Sequence, residues 1–128
     1  MYWATSYPDR FKSEIWLMNQ NTNARLVRLQ DNRLRWQEWI VNNLGDEFLL
    51  AITYPENFPT QSPIPSVLKP DIKPAGAYYM FENKIICAMP SSSYSPNITA
   101  YAIRNRACAW TTFYGLYDRF CIWYGPTH

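Results

Sequence analysis

Leu34-Arg-Trp-Gln-Glu-Trp-Ile-Val-Asn-Asn-Leu-Gly-Asp-Glu-Phe-Leu-Leu-Ala-Ile-Thr-Tyr54 is the stretch that decides the fold. Leu34, Trp36 and Ile40 share one parity, and Arg33, Arg35 and Gln37 share the other. That is a half-buried strand with one wet face. Asn42-Asn43-Leu44-Gly45-Asp46 is a turn signal, and Phe48–Tyr54 supplies the next strand. Upstream, Arg25–Leu29 reads as a strand separated from 34–41 by a turn at Asp31-Asn32. Connections this short give an antiparallel meander rather than a parallel sheet.

Working outward, the segment before the sheet reads as a short helix. Ser6 is placed to cap it, Pro8 suits its first turn, and Phe11, Ile15 and Met18 fall on one stripe. Asn19–Asn23 ends it with turn-forming residues. Beyond the sheet, Pro55, Pro59, Pro63, Pro65, Pro70 and Pro74 fill a stiff loop over 55–76, which holds at most one short edge strand around Ser66–Leu68. Ala77–Phe81 and Ile85–Cys87 are extended by composition, and Ser91–Pro96 is a loop. A second helix follows, with Ser95 or Asn97 as its cap and Ile98, Ala102, Ala109, Phe113, Leu116 and Phe120 on its apolar face. Gly115 weakens it late in its course, as a kink site would. Strands followed by helix give an α+β domain with helices on one face of the sheet. The 128 residues suit one domain, 1–128.

Composition removes several chemistries. Four isolated glycines leave no phosphate-cradling loop. Net charge is +2 and the pI about 8.4, below the basic footprint of a nucleic-acid binder; Arg25, Arg28, Arg33, Arg35, Arg104 and Arg106 read as solvated faces. The single histidine, His128, lies at the far end, so a Cys–His or Ser–His–Asp arrangement would require that end to fold back, which the sequence gives no reason to expect. Cys87, Cys108 and Cys121 lack zinc-ligand spacing. Their odd number, with no apolar signal stretch in residues 1–20, points to a reducing cytoplasm. No run reaches the roughly 20 apolar residues of a membrane span. No metal or cofactor is expected. What remains is a thiol nucleophile working without a histidine base, with Cys108 and Cys121 as packing residues of the helix.

Three motifs in order carry a resemblance. The first is Phe48-Leu-Leu-Ala-Ile-Thr-Tyr54-Pro55-Glu-Asn-Phe58-Pro59-Thr-Gln-Ser-Pro63. The second is Glu82-Asn83-Lys84-Ile85-Ile86-Cys87. The third is Tyr94-Ser95-Pro96-Asn97-Ile98-Thr99. Together they resemble the ubiquitin-conjugating enzymes, with their Tyr-Pro-Phe-x-x-Pro loop, active-site cysteine after a turn, and Trp-Ser-Pro-x-x-Thr start of a helix. The resemblance covers residues 48–115, and the earlier elements by arrangement. Trp110, Tyr117 and Trp123-Tyr-Gly-Pro are similar to the tails of bacterial members, some of which belong to anti-phage (CBASS) systems. It implies the ubiquitin-conjugating fold, with the Pro-rich loop and active-site Cys87 between the meander and the C-terminal helix. The family's His-Pro-Asn falls here at Ala77-Tyr78-Tyr79, so its Asn is missing, a departure that bears on amine transfer more than on thioester formation.

The resemblance implies acyl transfer: Cys87 takes a protein's C-terminal carboxyl as a thioester and passes it to an acceptor. An unperturbed thiol is a few per cent thiolate at neutral pH, which suffices when the acyl group arrives activated and binding supplies proximity. The tetrahedral intermediate needs hydrogen-bond donors. Candidates are Asn83, Asn97, the Tyr79 hydroxyl, and the first free N–H groups of the helix near Asn97. Asn83 also reads as a turn former, Asn97 as a helix cap, and Tyr79 as filler. Asp118 is a candidate to deprotonate the incoming acceptor, or an exposed helical acid. Ser91–Ser93 form a polar rim beside Cys87. Implied partners are a protein acyl donor such as the C-terminus of a cyclic-nucleotide synthase, a protein or small-molecule acceptor, and an activating enzyme; nucleic acid and membrane are not. Six tryptophans exceed one small core, so a homodimer or stable complex through exposed aromatics is also expected. The alternative is a non-catalytic adaptor of the same fold.

Overall fold

The computed structural model describes residues 2–128. Helix α1 is one turn, Trp3–Ser6, and α2 spans Pro8–Asn21 with Pro8 in its first turn. Ser6 is not the cap of α2. Tyr7 holds that place, and the Ser6 hydroxyl donates back to the Tyr2 carbonyl at 3.2 Å, because the residues before it already form a helical turn. Met18 is buried, and Phe11 and Ile15 pack at the edge of the core.

Strands β1 (Arg25–Arg28), β2 (Leu34–Val41), β3 (Glu47–Thr53) and β4 (Ile64–Lys69) form one antiparallel sheet in the order β1-β2-β3-β4. The alternation along β2 sets its register: Trp36 faces Ile52 and Ile40 faces Phe48. β4 is the edge strand expected in the Pro-rich stretch. Pro65 lies within it at no loss to the ladder, and the Pro65 carbonyl accepts the Ile86 N–H at 3.0 Å.

Helix α3, Ala100–Phe120, covers one face of the sheet, so the chain is α+β with helices flanking an antiparallel meander. Trp3 lies at the centre of an aromatic cluster, 4.6 Å from both the Tyr54 and Phe58 rings. Trp36 and Trp110 are also buried, whereas Trp16 and Trp39 are 62% and 57% exposed, so the core does not hold all six tryptophans.

The buried face of α3 differs from the expected one. Ala100, Ile103, Ala107, Trp110, Thr111 and Gly115 face inward, while Ala109 and Phe120 are exposed. Small residues let the helix lie close to the sheet and leave the larger apolar groups on its flank. Gly115 does not kink the helix, which runs unbroken. The β2–β3 hairpin crosses there: a Cβ at 115 would stand 2.9 Å from Leu44 Cδ1, 3.0 Å from Asp46 Oδ2 and 3.1 Å from Asn42 Nδ2. Asn42 organises that hairpin, accepting the Leu44 and Asp46 N–H groups at 2.9 Å and donating to the Thr111 carbonyl at 3.0 Å. Gly115→Ala is therefore expected to lower stability by about 1 kcal/mol, overpacking outweighing the gain in helix propensity. Urea denaturation checks this; an unchanged or raised midpoint shows that the hairpin side chains yield freely.

Ala77–Phe81 is not a strand. Gly76–Tyr78 forms a 3-10 turn and Tyr79 adopts a left-handed conformation with φ 56°. Tyr78 leaves the extended path to pack its ring 5.0 Å from that of Tyr114 on α3. Around Ile85–Cys87 only isolated bridges form, Ile85 with Ser66 and Ile86 with Met80. No helix among the described residues is long and apolar enough to cross a membrane.

Candidate active site

Cys87 lies in the irregular connection between β4 and α3, and its approach is shaped by residues with positive φ. Asn83 (φ 63°) and Lys84 (φ 64°) turn the chain just before it. Asparagine tolerates that conformation through local polar contacts. Lysine does not favour it, and Lys84 is tied down instead: its ammonium donates to Asp71 Oδ1 at 2.6 Å and to the Ile72 carbonyl. That hydrogen bond holds the Asp71 carboxyl below its ordinary range. The Cys87 N–H donates to the Tyr79 carbonyl at 2.9 Å, and the thiol reaches the Met89 carbonyl at 3.5 Å. The side chain is half-buried, and burial pushes the thiol up from its ordinary pKa. At neutral pH it is held protonated.

Cys87 borders two cavities. One, of about 380 Å³, is an apolar trough between the Pro-rich loop and the 85–94 segment, with Pro63, Phe81, Ile85, Met89 and Ser91 on its walls. Tyr94 also lines it, its hydroxyl donating to the Pro59 carbonyl at 2.6 Å. The other, of about 150 Å³, lies toward α3 and is lined by Arg106, Trp110, Phe113, Trp123 and His128.

Of the candidates named from sequence, Tyr79 is the one in direct contact with Cys87, through its backbone carbonyl rather than its hydroxyl. Its ring lies 5.5 Å from that of Trp123 and 5.2 Å from that of His128. Asn83 forms the turn and, like the exposed Asn97, lines neither cavity. Neither Ser95 nor Asn97 caps α3. Thr99 does, its hydroxyl accepting the Ala102 N–H at 3.1 Å. The Ala100 N–H donates to Glu14 Oε1 at 3.0 Å, so two of the N–H groups at this helix start, those of Ala100 and Ala102, are already engaged. Asp118 is exposed near the end of α3 and lines neither cavity. Ser91–Ser93 form a 3-10 turn, of which Ser91 reaches the trough. Cys108 is half-buried on α3 as expected, but Cys121 is exposed: it ends the helix with φ 58°.

The largest correction concerns His128. The segment after α3 folds back across the helix and brings His128 into the cavity that Cys87 lines. Trp123 anchors it, with its ring 5.8 Å from that of Phe113 and its indole N–H donating to the Pro126 carbonyl at 3.0 Å. Arg106 is exposed, as expected of a solvated face, and also lines this cavity. No periodicity flags a contact of this kind; the one local signal was Trp123-Tyr-Gly125-Pro126, an aromatic residue beside two turn formers.

No protein-family model matches the chain, and no curated protein matches it. Fold and site together define an α+β domain with a half-buried cysteine between an apolar trough and a cavity holding one imidazole and one guanidinium.

Proposed function

We propose that the chain is a ubiquitin-conjugating-like acyl transferase with the ubiquitin-conjugating fold. In this reading Cys87 accepts the C-terminal carboxyl of a protein as a thioester and passes it to an acceptor. The observation that carries it is that Cys87 lines the trough together with Ile64 and Pro65 of edge strand β4. An extended peptide end fits such a trough, with its terminal carbonyl delivered to the thiol while water is kept from the apolar walls. The order of meander, Pro-rich loop, cysteine and helix supports the same reading, as do the three motifs that resemble the family. The donor is an activated protein C-terminus, handed over by an activating enzyme and, in an anti-phage setting, belonging to a cyclic-nucleotide synthase. The acceptor is an amine or other nucleophile of a protein or small molecule. A reducing cytoplasm suits three free cysteines.

The test is covalent-adduct formation by wild type, Cys87→Ser and Cys87→Ala, each expressed with its genomic neighbours and separated without reductant. Expected are a thiol-labile adduct in wild type, a thiol-resistant, alkali-labile one in Cys87→Ser, and none in Cys87→Ala. Mass spectrometry of the adduct then names the donor. A stable complex without any adduct, identical in wild type and Cys87→Ala, replaces this reading with a non-catalytic adaptor that binds through the Pro-rich loop.

A further inference from the structure

We infer that His128 is the proton acceptor for Cys87, delivered by the folded-back segment 121–128; this deepens the acyl-transfer reading and rests on Cys87 being its nucleophile. The segment is held by specific packing. Cys121, with φ 58°, ends α3, and its N–H still reaches the Tyr117 carbonyl at 2.8 Å. The chain then reverses so that Trp123 lies against both Phe113 and Tyr79. Gly125 passes so close beneath them that a Cβ would stand 2.8 Å from ring atoms of Phe113 and of Trp123. His128 ends with its ring edge-on to Tyr79 at 5.2 Å, and the carbonyl of that same Tyr79 accepts the Cys87 N–H at 2.9 Å. One residue in a left-handed conformation thus touches both partners.

The cavity between them, about 150 Å³, has room for bridging water, which takes about 30 Å³ per molecule. The charged or titratable side chains that line it are Cys87, Arg106 and His128, and Tyr79 faces His128 from the turn. The Arg106 guanidinium has no proton-accepting role. Among these side chains the imidazole is therefore the one with a nitrogen lone pair to accept the thiol proton.

The step balances. An imidazole nitrogen takes the Sγ proton through water held in the cavity, and the sulfur attacks the carbonyl carbon of the donor thioester. The C–S bond to Cys87 forms as the carbonyl electron pair moves to oxygen. When that pair returns, the donor's own C–S bond breaks and the departing thiolate takes the proton back from the imidazolium.

The measurement is the alkylation rate of Cys87 by iodoacetamide, followed by peptide mass spectrometry so that Cys108 and Cys121 are counted separately, across about pH 6–9. His128→Gln preserves the length of the segment and is expected to slow alkylation at neutral pH at least about tenfold. The pH dependence of the rate in His128→Gln is then expected to follow the thiol alone. Gly125→Val, which pushes the segment off Phe113, gives the same loss with His128 intact. A segment that merely covers the thiol gives the opposite pattern and overturns the inference: His128→Gln alkylates at the wild-type rate, and Gly125→Val alkylates faster. Alkylation does not pass through acyl transfer. A His128-dependent rate without any thiol-labile adduct therefore rejects the acyl-transfer reading alone. A normal adduct with a His128-independent rate rejects the pairing alone.

Discussion

Glu14→Ala is expected to destabilise the protein by about 3–5 kcal/mol, a large fraction of a typical domain's 5–15 kcal/mol. Glu14 is 1% exposed, yet lies on α2 among apolar groups. Its carboxylate accepts from the Tyr54 hydroxyl at 2.8 Å, the Ala100 N–H at 3.0 Å and Arg10 Nε at 3.3 Å. The Tyr54 oxygen in turn accepts the Trp36 indole N–H at 2.9 Å. Burial keeps the Tyr54 phenol neutral, its pKa well above the ordinary value, so its one proton stays committed to Glu14. Alanine at 14 orphans a buried hydroxyl and a buried backbone N–H, at about 1–3 kcal/mol each, and leaves Arg10 without its carboxylate. Glu14→Gln keeps an acceptor oxygen for Tyr54 and Ala100 and is expected to lose only about 1 kcal/mol. Urea denaturation of the two variants separates the roles. If alanine and glutamine are equally mild, the network does not hold α3 to the rest of the fold. Arg10 extends the same device toward the site, donating to the Pro96 carbonyl at 2.5 Å and the Ile98 carbonyl at 3.0 Å. Loss of Glu14 should therefore loosen the 96–100 segment before the sheet, and amide hydrogen exchange reads that order.

Residues that follow a period were legible in the sequence, and residues that break one were not. The alternation Leu34, Trp36, Ile40 located β2 and its inner face, and the density of prolines confined β4 to a short edge strand. The same alternation places Glu38 on the inner face, where it is indeed buried. A charge at such a position is itself a signal that a cation must come to meet it. Glu14 gave a weaker signal, since it lies on the flank of the Phe11, Ile15, Met18 stripe and its partners are 40 and 86 residues away. The buried face of α3 departs from the expected stripe because the smallness of Ala107, Thr111 and Gly115 is what permits close approach to the sheet, which an apolar periodicity does not register. Around the site, Cys87 was reached through a motif order, but its surroundings depend on backbone placed against preference. Tyr79 and Lys84 both hold positive φ, which neither side chain favours, and only tertiary contacts stabilise that choice. His128 was missed for a related reason: its position follows from a missing Cβ at Gly125 and from an aromatic contact between two elements that no local pattern joins.

Arg104→Met is the second large effect expected, a loss of about 3 kcal/mol, and its reversal by a second substitution is the more informative result. Glu38 is 6% exposed and receives Arg104 in a two-pronged pair, Nε to Oε1 at 2.8 Å and Nη2 to Oε2 at 3.0 Å. The Asn23 N–H completes the set at 3.1 Å to Oε2. Methionine at 104 fills similar space but leaves a buried carboxylate with one backbone donor. Glu38→Met combined with Arg104→Met removes both desolvated charges. It should recover all but about 1 kcal/mol, the remainder being the unpaired Asn23 N–H. A double variant as unstable as Arg104→Met alone would mean that the pair stabilises the fold outright. The pair also has a geometric consequence for the site. Residues 104 and 106 lie about 200° apart around the helix, so holding Arg104 against β2 turns Arg106 toward Cys87, with Trp110 and Phe113 on the same cavity. Stability and site geometry should then separate in the double variant: the urea midpoint returns close to wild type, while the Cys87 alkylation rate does not. If both return together, apolar packing alone sets the rotation of α3, and the ion pair has no part in aiming the site.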